Sequence, residues 1–272
     1  MPRSEVMNHM TKKNNVGVLF VRQVKTGEKW QHCFICNTVM ESCAISNRTS
    51  EIGYIAPLYI TKIGSQQDLF STVDSQNREI NLNSDLMATL GDAYEFNPSP
   101  ENILNYIYSI LNSPFFQDRF VDFLKIDFPR IPFTENKEIF NSLANLGYRL
   151  TALHLLDSPE LSSPIAQFDG AGDNKVERGR SQGLHYDPDQ QRVYINQIQY
   201  FAPIPPEVWE YQIGGYQVCE KWLKDRYDRR LSLDEIQTYC RIVTALARTI
   251  EIQEEIDKLY PLVEENLLDI QL

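Results

Sequence analysis

The densest set of side chains able to do chemistry is His32, Cys33, Cys36 and Cys43, four soft donors within twelve residues. At such spacing Cys and His bind zinc when a tight turn holds the C-x-x-C pair. Here Phe34 and Ile35 stand between the cysteines, and both are strand formers. On a strand the odd spacing points Cys33 and Cys36 to opposite faces, where each serves as a small apolar residue. Carboxylates come next. Asp118 and Asp122 share a helix face at i, i+4 without a histidine or cation beside them, so a solvated acidic face accounts for them. Asp127 stands in DFPR, where an ion pair with Arg130 accounts for it. No G-x-x-x-x-G-K-[ST], G-x-S-x-G or H-E-x-x-H occurs, and His9, His32, His154 and His185 are scattered. Gly170-Ala171-Gly172 lacks the strand before it and the helix after it that a dinucleotide turn requires. The chain is therefore expected to carry no catalytic residue, no metal and no cofactor.

The surrounding elements must then position something other than a reaction. The chain has 272 residues, 42% hydrophobic and 11% aromatic, enough to bury a full core. No apolar run reaches the roughly 18–20 residues of a membrane span, and MPRSEVMNHM holds no apolar signal core. With five cysteines and no such signal, a reduced, cytoplasmic setting without disulfides is expected. Net charge is −11, which by itself argues against a polyanionic partner. The charge is unevenly spread: residues 1–62 carry eight Lys/Arg against four Asp/Glu, and residues 63–174 carry six against sixteen. Residues 175–230 carry nine against eight, and residues 231–272 three against nine. A polyanion would be steered to the first segment, helped by the cations of 175–180 and 221–230.

The spacing predicts strands in NVGVLFVRQV, HCFICNTV and GYIAPLYIT, with turns at Gly27 and Asn47. Residues 63–98 read as a polar connection with little core of its own. Ser99-Pro100 and Ser113-Pro114 are helix starts, Thr134 can cap a third helix, and DFPRIPF between them must be extended. Phe116, Phe120, Phe123 and Leu153 are expected to be buried. Residues 157–184 read as a loop, RVYINQIQYF and WEYQIG as strands, and Ser232 with Glu235 as a capping box opening a long helix. The fold class is α+β within one domain over 1–272: 1–98 β-rich, 99–156 helical, 157–215 loop and strands, 216–272 helical.

At YIYSILNSPFFQDRFVDFLKIDFPRIPF (106–133) two aromatic-rich helices run into an extended FPRIPF. With VLFVRQV (18–24), IAPLYI (55–60) and WEYQIGGYQVCEKWLKDRYDRRLS (209–232) in order, the chain resembles the C-terminal specificity domain of type ISP restriction–modification enzymes. Those enzymes join nuclease, ATPase, adenine methyltransferase and target-recognition regions in one chain. The resemblance covers only the recognition region. Its adenine methyltransferases use an Asn-Pro-Pro-aromatic loop, whereas the only Asn-Pro here is Asn97-Pro98, followed by a helix start.

The resemblance implies sequence-specific recognition of double-stranded DNA without catalysis, in company with a methyltransferase or restriction subunit. Arg22, Gln23 and Arg48 sit at strand ends or turns and suit base edges in the major groove. Lys25, Lys29 and Lys62 suit phosphates, and Lys175, Arg178 and Arg180 form a second contact group on a Gly-flexible loop. Each of these is otherwise a solvated surface charge. The alternatives are a docking module whose acidic segments bind a methyltransferase partner, or an acidic inhibitor of such an enzyme. The basic first segment counts against the inhibitor.

Overall fold

The computed structural model describes residues 7–11, 15–25, 29–45, 52–61, 78–179 and 182–270. It is a mixed α+β fold with a helical C-terminus, built as two compact units: residues 1–151 with 256–272, and residues 152–255. No helix among the described residues is long and apolar enough to cross a membrane.

In unit 1, β1 (Gly17–Val21) pairs antiparallel with β2 (Cys33–Cys36) on one side and β3 (Gly53–Pro57) on the other. The central strand GVLFV is buried on both faces except at Phe20, as its β-branched and aliphatic composition demands. On β2, Cys33 and Ile35 are buried while Phe34 and Cys36 reach outward, so the two cysteines do face opposite ways. A short pair, β4 (Tyr59–Thr61) and β5 (Arg78–Ile80), follows.

Residues 84–94 correct the expected polar connection, because SDLMATLGDAY forms helix α1 (Ser84–Tyr94). The Asn83 side chain accepts from the Asp85 and Leu86 N–H groups, and Leu86, Leu90 and Tyr94 bury one face. Helices α2 (Pro100–Leu111) and α3 (Pro114–Arg119) start as expected, with Ser99 accepting from Asn102 N–H and Ser113 from Phe116 N–H. The helix after Ser113 does not run through. It breaks at Phe120 (φ −110°, ψ 17°) and restarts as α4 (Val121–Leu124). The break changes the phase of the apolar stripe: Phe116 is buried and Phe120 half-buried, whereas Phe123 is 69% exposed, contrary to expectation.

Helix α5 (Lys137–His154) is capped not by Thr134 but by Asn136, whose Oδ1 accepts from Glu138 and Ile139 N–H. Gly147 lets α5 approach α2 so closely that a Cβ there would lie 1.9 Å from the Asn105 carbonyl oxygen. The extended 127–133 segment is held by hydroxyls: Tyr106 donates to Pro132 O at 2.9 Å, and Tyr94 donates to Thr134 O at 2.6 Å. Tyr106 stacks between Phe133 and Phe140 at 5.0 and 4.9 Å, which closes the core around that segment.

Unit 2 begins where α5 ends. A one-turn 3-10 helix (Pro159–Ser162) leads to β6 (Gln167–Asp169), β7 (His185–Asp187), β8 (Arg192–Tyr194) and β9 (Tyr200–Ala202). These form an antiparallel sheet in the order β6-β9-β8-β7. WEYQIG is only partly a strand. Pro205-Pro206 starts a helical turn, α6 (Pro206–Trp209), and a two-residue hairpin of β10 (Gln212–Ile213) and β11 (Tyr216–Gln217) follows. Helix α7 (Val218–Lys224) and α8 (Leu233–Glu265) complete the unit, with α8 continuing into unit 1 after Glu255. The capping box is present: Ser232 N–H donates to Glu235 at 3.1 Å, and Glu235 N–H to Ser232 Oγ at 3.2 Å. Val193 and Phe201 from the sheet, with Ile195 just after β8, meet Tyr239, Cys240, Val243 and Leu246 of α8 in one buried cluster. Trp209, Tyr211 and Trp222 pack partly buried against that cluster.

Candidate nucleic-acid interface

In unit 1 the chain leaves β1 at Val21, and the Val24 N–H donates to Lys125 O at 3.0 Å. That bond lays residues 22–25 beside residues 125–128. The Arg22 guanidinium pairs with Asp127 at 3.2 Å and lies 5.6 Å from the Phe128 ring centre. Phe128 meets Phe20 and Tyr54 edge-on at 5.5 and 5.2 Å, so a ring cluster backs the pair. The Asp127 carboxyl is held below its usual range, first by the Phe128 N–H and then by Arg22, with Arg130 contributing through its field. The expected Asp127–Arg130 ion pair is thus replaced by one to Arg22.

The resulting strip carries Arg22, Gln23, Lys25, Lys125 and Arg130, of which Arg22 and Arg130 act on the Asp127 carboxylate. Arg22, Gln23, Lys25 and Arg130 are exposed, and so is Lys29 beyond them. Arg48 and Lys62 lie outside the described residues. The sequence alone gives no reason to choose Lys125 and reads Arg130 as the partner of Asp127; both join the strip because 22–25 and 125–128 are brought together.

In unit 2 a second basic group is assembled by backbone pairing. The Asp228 N–H donates to Val176 O at 2.8 Å, Val176 N–H to Arg229 O at 2.9 Å, and Leu231 N–H to Asn174 O at 2.9 Å. Segment 174–178 therefore lies against segment 226–231, and Lys175 and Arg178 join Arg226, Arg229 and Arg230. Ion pairs tie most of these down. Arg178 pairs with Asp228 at 2.7 Å and lies 4.9 Å from the Tyr227 ring centre. Arg230 pairs with Asp173 at 3.2 Å, and Arg226 and Arg229 share Glu235 at 3.1 and 3.0 Å. Glu235 is held below the usual carboxylate range by the Ser232 N–H first and these guanidinium groups after it. Five cations face three carboxylates. Apart from the Glu235 pair with Arg226, these ion pairs are largely solvent-exposed, and such pairs contribute about 0–1 kcal/mol each, so a phosphate can replace a carboxylate at little cost. Arg180 lies outside the described residues.

Neither group resembles a metal centre or a catalytic site. Among the described residues no three His, Cys, Asp or Glu side chains converge to hold a metal. All five cysteines are described and unpaired, and burial pushes the Cys33 thiol far up, away from ligation as thiolate.

A family model described as the Type ISP C-terminal specificity domain matches residues 1–255. The chain belongs to this family. Solved Type ISP structures share the fold. The ATP-dependent Type ISP restriction-modification enzyme LlaBIII bound to DNA aligns with a TM-score of 0.65 at 17% identity, over 89% of this chain and 16% of that one. A nuclease-deletion mutant of the Type ISP enzyme LlaGI, in complex with a DNA substrate mimic, aligns with a TM-score of 0.58 at 19% identity, over 93% of this chain and 22% of that one. A DrdV–DNA complex aligns with a TM-score of 0.69 at 18% identity, over 93% and 26%. The chain thus spans about a quarter or less of these structures' length. No curated protein matches the sequence. In this Type ISP specificity domain, the stretch 106–133 that carried the resemblance forms α2, α3, α4 and the segment pinned by Tyr94 and Tyr106.

Proposed function

We infer that the chain recognises a target in double-stranded DNA as the specificity part of a Type ISP restriction–modification system and has no catalytic activity of its own. The family match over residues 1–255 carries this reading. The two basic groups supply its chemistry. Phosphates are taken by Lys25, Lys29, Lys62, Lys175, Arg178 and Arg180, and by Lys125 and Arg130 on the segment beside residues 22–25. Arg22, Gln23 and Arg48 read base edges, as Arg suits guanine and Gln suits adenine. Duplex titrations of the full chain test the reading. Nonspecific binding at about 10⁻⁴–10⁻⁶ M near physiological salt, falling with a log–log slope of about −0.9 per phosphate contact, is the expected result. Failure to bind any duplex at low salt overturns it.

A second reading rests on a specific observation in unit 1. An apolar groove of about 840 Å³ is lined by Phe116, Phe120, Phe123, Phe128, Ile131 and Tyr260. On its rim Phe123, Ile126 and Leu267 are 69%, 64% and 56% exposed. Apolar surface of this kind marks docking sites, and a methyltransferase or restriction subunit is the occupant this reading requires. Co-purification with such a subunit, abolished by Phe123→Asp with Ile126→Asp, is its test.

A further inference from the structure

The four-stranded sheet of unit 2 has two faces of different character. Phe168, Tyr186, Val193 and Phe201 point to the core. The alternate positions His185, Arg192, Tyr194 and Tyr200 therefore lie on the other face. Register sets His185 opposite Tyr194, and Tyr194 opposite Tyr200. The rings follow that register. His185 and Tyr194 stack at 4.7 Å with planes 6° apart, and Tyr194 meets Tyr200 at 5.3 Å and 53°. The Arg192 guanidinium lies 4.2 Å from the Tyr200 ring centre and donates to the Tyr194 hydroxyl at 3.3 Å. The Tyr200 hydroxyl in turn donates to Asp169 at 3.0 Å.

The column ends at His185, on the edge strand β7, and no further ring stacks on the imidazole among the described residues. Its plane is fixed by Nδ1–H donating to Gly183 O at 2.8 Å. The Leu184 N–H donates to Glu177 O and the Glu177 N–H to Ile195 O, both at 2.8 Å, so the segment bearing Lys175 and Arg178 crosses the end of β7 and β8 next to His185.

We propose that this ring column is a stacking platform for an unpaired DNA base, with the phosphates beside that base held by Lys175 and Arg178. Ring faces accept any base, and adjoining cations follow the backbone; together these are what single strands require of a surface. Bases of an intact duplex are already stacked on one another, so the platform takes opened or extruded nucleotides. The proposal rests on DNA being the ligand and shares Lys175 and Arg178 with duplex recognition, but its ring column is not used there.

Fluorescence anisotropy of the full chain with a short oligothymidine and with a duplex is the test. His185→Ala and Tyr194→Ala should each weaken single-strand binding about tenfold, whereas His185→Phe retains it within about twofold, and duplex binding moves less than about twofold in all three. Thermal melting checks folding; His185, at the sheet edge, carries the test if Tyr194→Ala melts early. Wild-type binding to duplex but not to oligothymidine overturns the platform and leaves duplex recognition standing. Single-strand binding indifferent to both alanine variants, or equal loss on duplex and single strand, also overturns it. Absence of binding to either DNA overturns both readings.

Discussion

In unit 1 the basic strip hangs on residues that have already left β1, joined to the 125–128 segment by one backbone bond and one exposed ion pair. In unit 2 the basic group sits on three backbone bonds and four ion pairs, beside a sheet packed on α8. The unit 1 strip therefore rests on a looser support, with the exposed Asp127 as the carboxylate that pairs with its Arg22. The unit 2 group is more firmly fixed, and four of its five cations are ion-paired. Charge drives encounter with a polyanion, whereas fixed geometry governs how well contacts are made once it is bound. If both groups contact DNA as proposed, the looser strip is expected to serve encounter and the fixed group the bound contacts.

The largest test removes the support of the unit 2 group. Phe201 is fully buried, 4.4 Å from the Tyr239 ring centre. Phe201→Ala should cost about 3–5 kcal/mol in denaturant unfolding, the usual loss for a large aromatic in a close-packed core. The same deletion at exposed Phe123 should change stability by less than about 0.5 kcal/mol. Similar losses at both positions would show that the two units do not differ in this way.

Acid should loosen unit 2 next. His154 Nε2 lies 2.9 Å from Thr249 Oγ1 on α8, and burial depresses the imidazole from its ordinary value to about 4. The folded state therefore disfavours the charged ring. Its stability is complete above about pH 6.5 and declines as pH falls from there toward 4. Part of the residue still reaches solvent, so the expected loss is about 1–2 kcal/mol rather than the full equivalent of the shift. Melting of wild type and His154→Gln between pH 7 and pH 4.5 checks this: the variant should lose less stability over that range. Parallel pH curves would remove His154 as the cause.

Glu235 should separate stability from binding. It closes the capping box and is shared by Arg226 and Arg229. Glu235→Ala should cost about 1 kcal/mol through the lost cap and yet tighten duplex binding, because two guanidinium groups are released to phosphates. Weaker binding in the variant would mean that the fixed arrangement of those arginines outweighs their charge.

Much of this scaffold was readable in advance. GVLFV, CFIC and GYIAP are strands because β-branched and aromatic residues fit a buried pleated surface, and Ser99-Pro100, Ser113-Pro114 and Ser232 with Glu235 open helices through local bonds alone. Helix α1 escaped because its exposed face is polar, although Asn83 followed by Leu86, Leu90 and Tyr94 held the cap and the stripe. Trp209, Tyr211 and Ile213 alternate like a strand, but Pro205-Pro206 turns the chain first. Phe123 went astray because nothing local announces the break at Phe120. The candidate site was legible as a set of cations and not as an arrangement. Arg22 meets Asp127 across 105 residues and Arg178 meets Asp228 across 50, and tertiary packing alone brings them together.

The smallest expected effect bears most directly on the division of tasks. Arg22 and Asp127 are each 57% exposed at the side chain, so their pairing holds little of the fold. Asp127→Asn removes the Asp127 carboxylate from the unit 1 strip while keeping an acceptor for the Arg22 guanidinium and for the Phe128 N–H. Melting should be unchanged within error. The strip then gains one net positive charge, and nonspecific duplex binding should tighten by about twofold to fivefold at low salt and steepen in its salt dependence by up to one contact. Asp228→Asn in unit 2 removes a carboxylate of the same kind from Arg178, but from a group whose backbone is already fixed. If encounter is governed by unit 1, Asp127→Asn raises the association rate and Asp228→Asn acts mainly on dissociation. Stopped-flow mixing with labelled duplex separates the two rates. Equal effects on association from both variants would show that the groups share one task, and that their different supports serve the fold rather than the DNA.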